Sequence, residues 1–399
     1  MVTNKEQNKL NVPHLRFPEF HGEWEKCRIG DYGKVVTGNT PPTKDVENYI
    51  DGQYLWASPA DLGTIKSITE TNTKLSSKGF AKTRILPKGS VLVTCIGSTI
   101  GKMGMAMKEM ATNQQINSVV VNEDNNNEFV YYAIQSAFPR YLSSIAVQAV
   151  PIVSKSAFEQ LSNKRPCLQE QEKIGSLFAL LDERIATQSK LIEDLKKLKS
   201  AIIDYAINSL DTDFAKFGSL YEMAGEGGTP ATSNASFYYN GKIPFIKIDN
   251  LKKKYLTENK DFITELGLQK SSAWLVPSRS ILFSNGATIG EITITTYPVC
   301  TKQGILGIVP KPNIDVEFLY YFMSSSYFKK AVSRIVTEGT MKTAYLKDIN
   351  NIRCPIPIKE KQQDIAKMPS ALNSKIDYEQ SILKRFCSQK QYLLRQMFM

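Results

Sequence analysis

Leu86-Pro87-Lys88-Gly89-Ser90-Val91-Leu92 is written a second time, with substitutions, as Val276-Pro277-Ser278-Arg279-Ser280-Ile281-Leu282. The match extends in both directions at a nearly constant offset of about 190 residues, the mark of an internal repeat. Upstream, Gly52-Gln53-Tyr54-Leu55-Trp56 answers to Gly241-Lys242-Ile243-Pro244-Phe245, and Asp61-Leu62 to Asn250-Leu251. Downstream, Ser98-Thr99-Ile100-Gly101 answers to Ala287-Thr288-Ile289-Gly290, Thr112-Asn113-Gln114 to Thr301-Lys302-Gln303, and Phe129-Val130-Tyr131-Tyr132 to Phe318-Leu319-Tyr320-Tyr321. An ordered series of this kind implies a duplicated domain, and a duplicated reader implies a target in two parts.

The 399 residues have room for two or three domains that each bury a core. A formal net charge of +11 favours a polyanionic partner. The excess is shared: residues 1–165 carry about +4, 166–210 about −1, 211–355 about +4 and 356–399 about +4, so no basic tail explains it. Cys27, Cys95, Cys167, Cys300, Cys354 and Cys387 have no C-x-x-C spacing and read as reduced thiols rather than a zinc site or a disulfide framework. The polar start from Met1 to Leu10 does not resemble a signal peptide, and no stretch has the apolar length of a membrane span. A cytoplasmic protein with no membrane partner is expected.

From Trp24 to Val121, short β-branched runs alternate with turn signals such as Gly38-Asn39-Thr40-Pro41-Pro42, Asp51-Gly52 and Pro87-Lys88-Gly89. Phe129, Tyr132, Ala133 and Phe138 then suit an amphipathic helix over the sheet. Gln169 to about Asn208 lacks Pro, and lacks Gly after Gly175, which reads as one long helix. Its apolar seam is Phe178, Leu181, Ile185, Ile192 and Leu195, with Gln188 as a polar member, and shifts afterwards to Leu198, Ile202 and Tyr205. The C-terminal segment repeats the spacing with Leu372, Ile376, Leu383, Phe386, Leu393 and Met397, interrupted by Glu379 and Lys390. Either seam alone would leave an apolar stripe in water, so the two are expected to pair as an antiparallel coiled coil. The fold expected is α+β: mixed blocks at 1–165 and 211–354, helical segments at 166–210 and 355–399, and a pseudo-twofold arrangement. Helices of about 35 to 40 residues would separate the blocks by roughly 50 to 60 Å.

This order resembles the specificity subunit of Type I restriction-modification systems, along essentially the whole chain. Pro13-His14-Leu15-Arg16-Phe17-Pro18-Glu19-Phe20 with Gly22-Glu23-Trp24 is similar to the family's opening of the first target-recognition domain. Arg165-Pro166 through Glu170-Gln171 to Ile174 resembles the start of the central spacer, and Pro355-Ile356-Pro357 through Gln362 to Ile365 its second copy. Gly339-Thr340 and Leu346 fit the end of the second recognition domain. The first copy departs there, with Val150-Pro151-Ile152, and Pro369 is expected to delay or kink the second spacer helix. The resemblance implies that each recognition domain reads one half of a split duplex DNA site while the spacers set the unread gap. It implies two docked modification subunits that methylate adenine N6 with S-adenosylmethionine, and a restriction subunit that uses ATP and magnesium. No cofactor is expected in this chain.

Catalytic motifs are missing from the sequence itself. Gly97-Ser98-Thr99-Ile100-Gly101-Lys102-Met103 has neither the spacing nor the hydroxyl of a phosphate-binding loop, and its repeat partner carries Glu291 at the lysine position. Asn39-Thr40-Pro41-Pro42-Thr43 lacks the aromatic of an amino-methyltransferase motif and reads as a turn, mirrored by Gly228-Thr229-Pro230. Glu258-Asn259-Lys260 after Asp249 has no first-copy equivalent as a nuclease cluster. His14 and His21 are the only histidines, too few for a zinc cluster.

Base reading needs side chains with paired hydrogen-bonding atoms on loops, flanked by lysines and hydroxyls for phosphate. Candidates in the first block are Asn39, Thr40, Ser58, Lys66, Ser98, Thr99, Asn113, Gln114 and Gln115. Those in the second are Thr229, Lys247, Asn250, Lys252, Lys253, Ser284, Asn285, Thr288, Lys302, Gln303 and Lys342. Ser58-Pro59-Ala60 differs from Lys247-Ile248-Asp249 while the flanking motifs agree, so the two half-sites should differ. Tyr131, Tyr132, Tyr320 and Tyr321 read as core. A protein-protein adaptor with duplicated domains is the alternative, and it leaves the shared basic excess unexplained.

Overall fold

The structure is a computed structural model and describes residues 11–63, 65–144, 152–286, 288–336 and 342–398. It divides into two compact units, Met1–Thr187 with Leu383–Met399, and Gln188–Ile382.

In the first unit, Val91–Thr94 is a strand buried on both faces, as its β-branched run suggests. It lies at the centre of a five-stranded sheet with the order Gly33–Thr37, Ile116–Val121, Val91–Thr94, Met103–Ala106, Ser67–Ile68. The pleat sends alternate side chains to opposite faces. Val91 and Val93 join the core formed with the helix layer, and Leu92 joins a second core beneath a three-stranded sheet. That smaller sheet has Tyr54–Ala57 in the middle, antiparallel to Thr73–Leu75 and parallel to Ala111–Thr112. A ribbon of Glu25–Arg28 with Ser162–Arg165 closes the block.

The second unit repeats this topology strand for strand. Its five-stranded order is Tyr221–Glu226, Ile305–Pro310, Ile281–Ser284, Ile292–Thr295, Tyr255–Leu256. Ile281 and Phe283 face the helix layer, and Leu282 faces the small sheet. Phe214–Lys216 and Arg353–Pro355 form the closing ribbon.

Each sheet is covered by helix. In the first unit this is α1 (Asn127–Ser144). It is not amphipathic as expected: Phe129 to Ile134 are buried without interruption. The sheet packs on one side and the long helix α2 (Leu168–Asn208) on the other, with the Tyr132 and Phe178 ring centroids 4.9 Å apart. Phe398, just beyond the C-terminal long helix, completes this core against Trp24, Phe129 and Phe178. In the second unit the layer is α3 (Val316–Ser324) and α4 (Ser326–Ile335), and the C-terminal long helix is α5 (Lys359–Met397). Pro369 lies inside α5 and does not delay its start.

The junction into each long helix is built the same way. Gln171 donates to the Pro166 carbonyl at 3.0 Å and accepts the Asn126 backbone N–H at 3.1 Å. Gln362 donates to the Pro357 carbonyl and accepts the Asp315 backbone N–H, both at 2.8 Å. Both glutamines are buried, so each satisfies backbone groups that would otherwise be orphaned next to a proline.

Within each unit α2 and α5 pack antiparallel. In the first, Asp182 pairs with Lys390 and the Arg184 guanidinium stacks on Phe386 at 4.4 Å. In the second, Gln188 donates to the Glu379 backbone carbonyl at 3.2 Å and to its carboxylate, and Lys199 donates to Asn373 at 3.0 Å. The polar interruptions of the seams therefore pair with other polar groups. Phe178, Ile192 and Ile376 are buried, while Leu181, Ile185, Leu195, Leu372, Leu383, Phe386 and Leu393 are half-buried. Of the expected shifted seam of Leu198, Ile202 and Tyr205, only Ile202 is half-buried; Leu198 and Tyr205 are exposed. Ile203 and Ile207 turn inward onto the core of the second block. Lys199 takes the intervening seam position, and burial pushes its ammonium pKa down.

Before the first block, the Arg16 guanidinium holds Glu170 at the start of α2 with two hydrogen bonds of 2.8 and 2.7 Å, and the Trp24 indole donates to the same carboxylate. Glu170 is fully buried. Arg16→Met should therefore cost about 3–5 kcal/mol by stranding that carboxylate, and Arg16→Met with Glu170→Leu should recover most of the loss, as read from urea unfolding midpoints. A second expectation concerns pH. The Lys375 ammonium, and next the Gln188 amide, hold Glu379 below the ordinary carboxylate range. A depressed folded pKa contributes stability above the unfolded pKa and loses it as pH falls through the folded one. Glu379→Gln should flatten this acid limb in thermal melts taken from neutral pH down to about 3.

Candidate nucleic-acid interface

Three loops of the first block meet beside the small sheet. The backbone N–H of Gly38 donates to Ile116, that of Asn39 to Thr112, and that of Cys95 to Gln115, at 3.0, 2.9 and 2.8 Å. The approach is so close that a Cβ on Gly38 would lie 2.2 Å from the Asn113 carbonyl oxygen, which is why glycine stands there. Gly227 occupies the same place in the second block, where a Cβ would lie 2.2 Å from the Thr301 carbonyl oxygen.

On these scaffolds the hydroxyl of Thr40 donates to the side-chain carbonyl of Gln114, and Thr229 accepts the backbone N–H of Gln303. In each copy a candidate threonine thus meets a candidate glutamine. Asn113 and Gln115 bond side chain to side chain at 3.1 Å, with Asn113 itself buried. Ser98 is exposed and Thr99 half-exposed on the loop that begins at Cys95, and Thr288 is exposed on the matching loop. Lys302, Gln303 and Lys342 are exposed, as are Lys252 and Lys253, the latter 3.5 Å from Glu258.

Several candidates serve the scaffold instead. Ser58 donates its hydroxyl and backbone N–H to Asp61, both at 2.8 Å, capping the short helix Pro59–Asp61. The Lys247 backbone N–H donates to Asn250 at 2.9 Å in the equivalent turn, and the Lys247 ammonium to Asp261 at 2.7 Å. Ser284 is buried and closes its loop against Glu291. Asn285 is buried and donates to the Ala344 carbonyl, which staples the segment after the second block's helices to the loop. The Asn285 carbonyl in turn accepts the Ala344 N–H at 2.9 Å, and the first block makes this backbone join from Val153 N–H to the Cys95 carbonyl at 2.8 Å. Val150, Pro151, Gly339 and Thr340, singled out at these joins, lie outside the described residues.

Lys66 requires a correction as a phosphate contact. Its ammonium is enclosed by Glu128 at 2.7 Å and the Tyr132 hydroxyl at 2.9 Å, so its charge is committed inside the fold. Sequence reasoning missed its repeat partner Lys254, whose side chain is 2 % exposed and paired with Glu317. The signal was the register of the repeat, which sets Lys254 opposite Lys66.

Tyr131, Tyr132, Tyr320 and Tyr321 are buried, and burial pushes all four hydroxyl pKa values well up. Burial raises the Cys95 thiol to about 12 and the Cys300 thiol to about 11, which leaves neither as a nucleophile at neutral pH. Among the described residues no group of three or more His, Cys, Asp or Glu side chains is placed to hold a metal ion, and no helix is long and apolar enough to cross a membrane. The exposed parts of the loop cluster are amides, hydroxyls and ammoniums, groups that bind by hydrogen bond and charge.

The family described as "Type I restriction modification DNA specificity domain" matches residues 21–197 and again 211–385. The chain is 26% identical over 370 residues to the Type I restriction enzyme MjaIX specificity subunit of Methanocaldococcus jannaschii, covering 85% of each. It is 24% identical over 228 residues to the EcoR124I/EcoR124II specificity subunit of Escherichia coli, covering 53% of this chain and 56% of the relative. Among solved structures, the S subunit of a Type I restriction-modification system from M. genitalium shares the fold at a TM-score of 0.61 and 17% identity, covering 97% of this chain and 99% of that one. With two family matches laid over two copies of one topology, the chain belongs to the specificity subunits of Type I restriction-modification systems, the non-catalytic members that carry DNA target recognition.

Proposed function

We propose that the two blocks read the two halves of a split duplex DNA target, and that the paired long helices set the number of unread base pairs between them. One observation carries this reading: the same three-loop scaffold, pinned by Gly38 and Gly227, is built twice and presents different exposed side chains. Thr40, Ser98, Thr99, Gln114 and Gln115 contact the first half-site, whereas the Asn39 amide donates to the Lys82 carbonyl and accepts the Arg84 backbone N–H, both at 2.9 Å, and serves the scaffold. Thr229, Thr288, Lys302, Gln303 and Lys342 contact the second, with Lys252 and Lys253 on phosphate. An amide such as Gln114 or Gln303 suits the N6 and N7 edge of adenine.

Two modification subunits dock on the long helices. Leu180, Leu191, Leu198 and Tyr205 on α2, and Met368, Tyr378 and Tyr392 on α5, are exposed apolar side chains that support such docking. These partners supply S-adenosylmethionine and the adenine-N6 transfer, and a restriction subunit supplies ATP- and magnesium-dependent cleavage. This chain contributes the address and holds no cofactor of its own.

Expression with its modification subunit in a host free of other adenine methylation should yield one split motif with two different halves and a fixed gap. A soluble complex that methylates no defined motif would favour the adaptor reading. Gln114→Ala should relax one half-site and Gln303→Ala the other, each losing about 1–3 kcal/mol of discrimination at a single position, as read from the mapped motif. One heptad inserted into each long helix adds about 10 Å. It should lengthen the gap or abolish recognition while both half-sites stay the same.

A further inference from the structure

Lys66 and Lys254 occupy equivalent places, immediately before or at the start of the edge strands Ser67–Ile68 and Tyr255–Leu256. Each is tied into its sheet through its backbone: the Lys66 carbonyl accepts from Met105 N–H and the Lys254 carbonyl from Ile294 N–H, both at 2.7 Å. Each side chain then leaves the sheet and crosses the helix layer. Lys66 lies between Glu128 and the rings of Tyr131 and Tyr132, and reaches to 3.8 Å from Asp182 on α2. Asp182 also accepts from the Tyr132 hydroxyl at 2.6 Å and pairs with Lys390 on α5. Lys254 lies between Glu317 and the rings of Tyr320 and Tyr321, and donates to Ser370 on α5 at 2.9 Å. Tyr321 donates to the same serine at 3.1 Å. Each lysine thus joins sheet edge, helix layer and long helix through one chain of polar contacts.

A well-packed apolar replacement is often as stable as a buried ion pair. What such a pair adds is register, because a displaced partner leaves a charge without its counter-charge in a site poor in water. We propose that Lys66 and Lys254 are positioning residues that lock each recognition block in rotation on its own stretch of the long helices, and so hold the unread gap to one value. This rests on the split-target reading given above.

The requirement is a sharp one. Each base pair added to the gap moves a half-site by about 3.4 Å and about a tenth of a turn. A block free to rock by that much would accept neighbouring gaps. The two locks differ in strength: Asp182 brings a carboxylate and a second lysine to the first, whereas Ser370 gives the second a neutral hydroxyl. The first lock therefore contributes more to gap fidelity.

The test maps methylated adenines for the full complex carrying wild-type chain, Lys66→Met, Asp182→Asn, Lys390→Met or Lys254→Met. Asp182→Asn leaves the Lys66 pair with Glu128 in place but weakens both the link to α2 and the pair with Lys390 on α5, so, read beside Lys390→Met as the control for the helix pair, it decides the matter if Lys66→Met does not fold. Both Lys66→Met and Asp182→Asn should keep the two half-sites while discrimination against a gap one base pair longer or shorter falls about tenfold, within the usual penalty for a mismatched pair. Lys254→Met should broaden the gap less. A lysine that merely stabilised the fold would lower the methylation level or the melting temperature at a single unchanged gap, and that result overturns the proposal. Absence of any split motif from the wild-type complex would instead refute the split-target reading itself.

Discussion

The helix layer of each block has to be dry on both sides, and the rest of the structure depends on that constraint. Phe129, Val130, Tyr131, Tyr132, Ala133 and Ile134 in the first block, and Val316 with Phe318 to Met323 in the second, are apolar or aromatic all round. A sheet covers only one side of such a layer. The other side is closed by a long helix, which therefore packs on its block as well as on the opposing helix. The long helices serve two partners at once, so their apolar positions do not form a single clean stripe. Ile203 and Ile207 face a block, Ile192 lies in the helix pair, and Lys199 fills a seam position with its stem.

Polar groups fix what apolar burial leaves free. Gln171 and Gln362 determine where each long helix begins, because only there do a proline carbonyl and a backbone N–H lie within reach of one amide. Glu170 and Arg16 bind the lead segment to the same place. Gln188 with Glu379, and Asp182 with Lys390, mark the register of the antiparallel pair. Each of these groups is buried or half-buried, so a slip would cost the full desolvation of an unpaired group rather than a screened surface contact.

Much of this was legible in the residues. The repeat gave two copies of one topology, because identical scaffolding needs similar residues at similar spacing. The seams gave the helix pair, because three-and-four spacing survives single polar interruptions. The unbroken burial of Phe129 to Ile134 in α1 was not legible, since periodicity reports a difference between faces and both faces of that stretch are apolar. The continuation beyond Leu195 misled for a related reason: Leu198 and Tyr205 have the right spacing, but only the packed block shows which side is covered. In the loop cluster, residue type alone could not separate exposed Gln114 from buried Asn113, or exposed Lys252 and Lys253 from enclosed Lys66. Their neighbours come from distant parts of the chain.

Phe398 gives the order of synthesis an unexpected weight. Its ring sits among Trp24, Phe129 and Phe178, so the core begun near Trp24 waits for a ring that is made only after the whole second block. The second unit is continuous from Gln188 to Ile382 and has no such dependence. On the ribosome the later block can therefore finish folding before the earlier one. A chain stopped short of Leu393 would leave the first block with an aromatic gap open to water, a surface for chaperones and proteases to find.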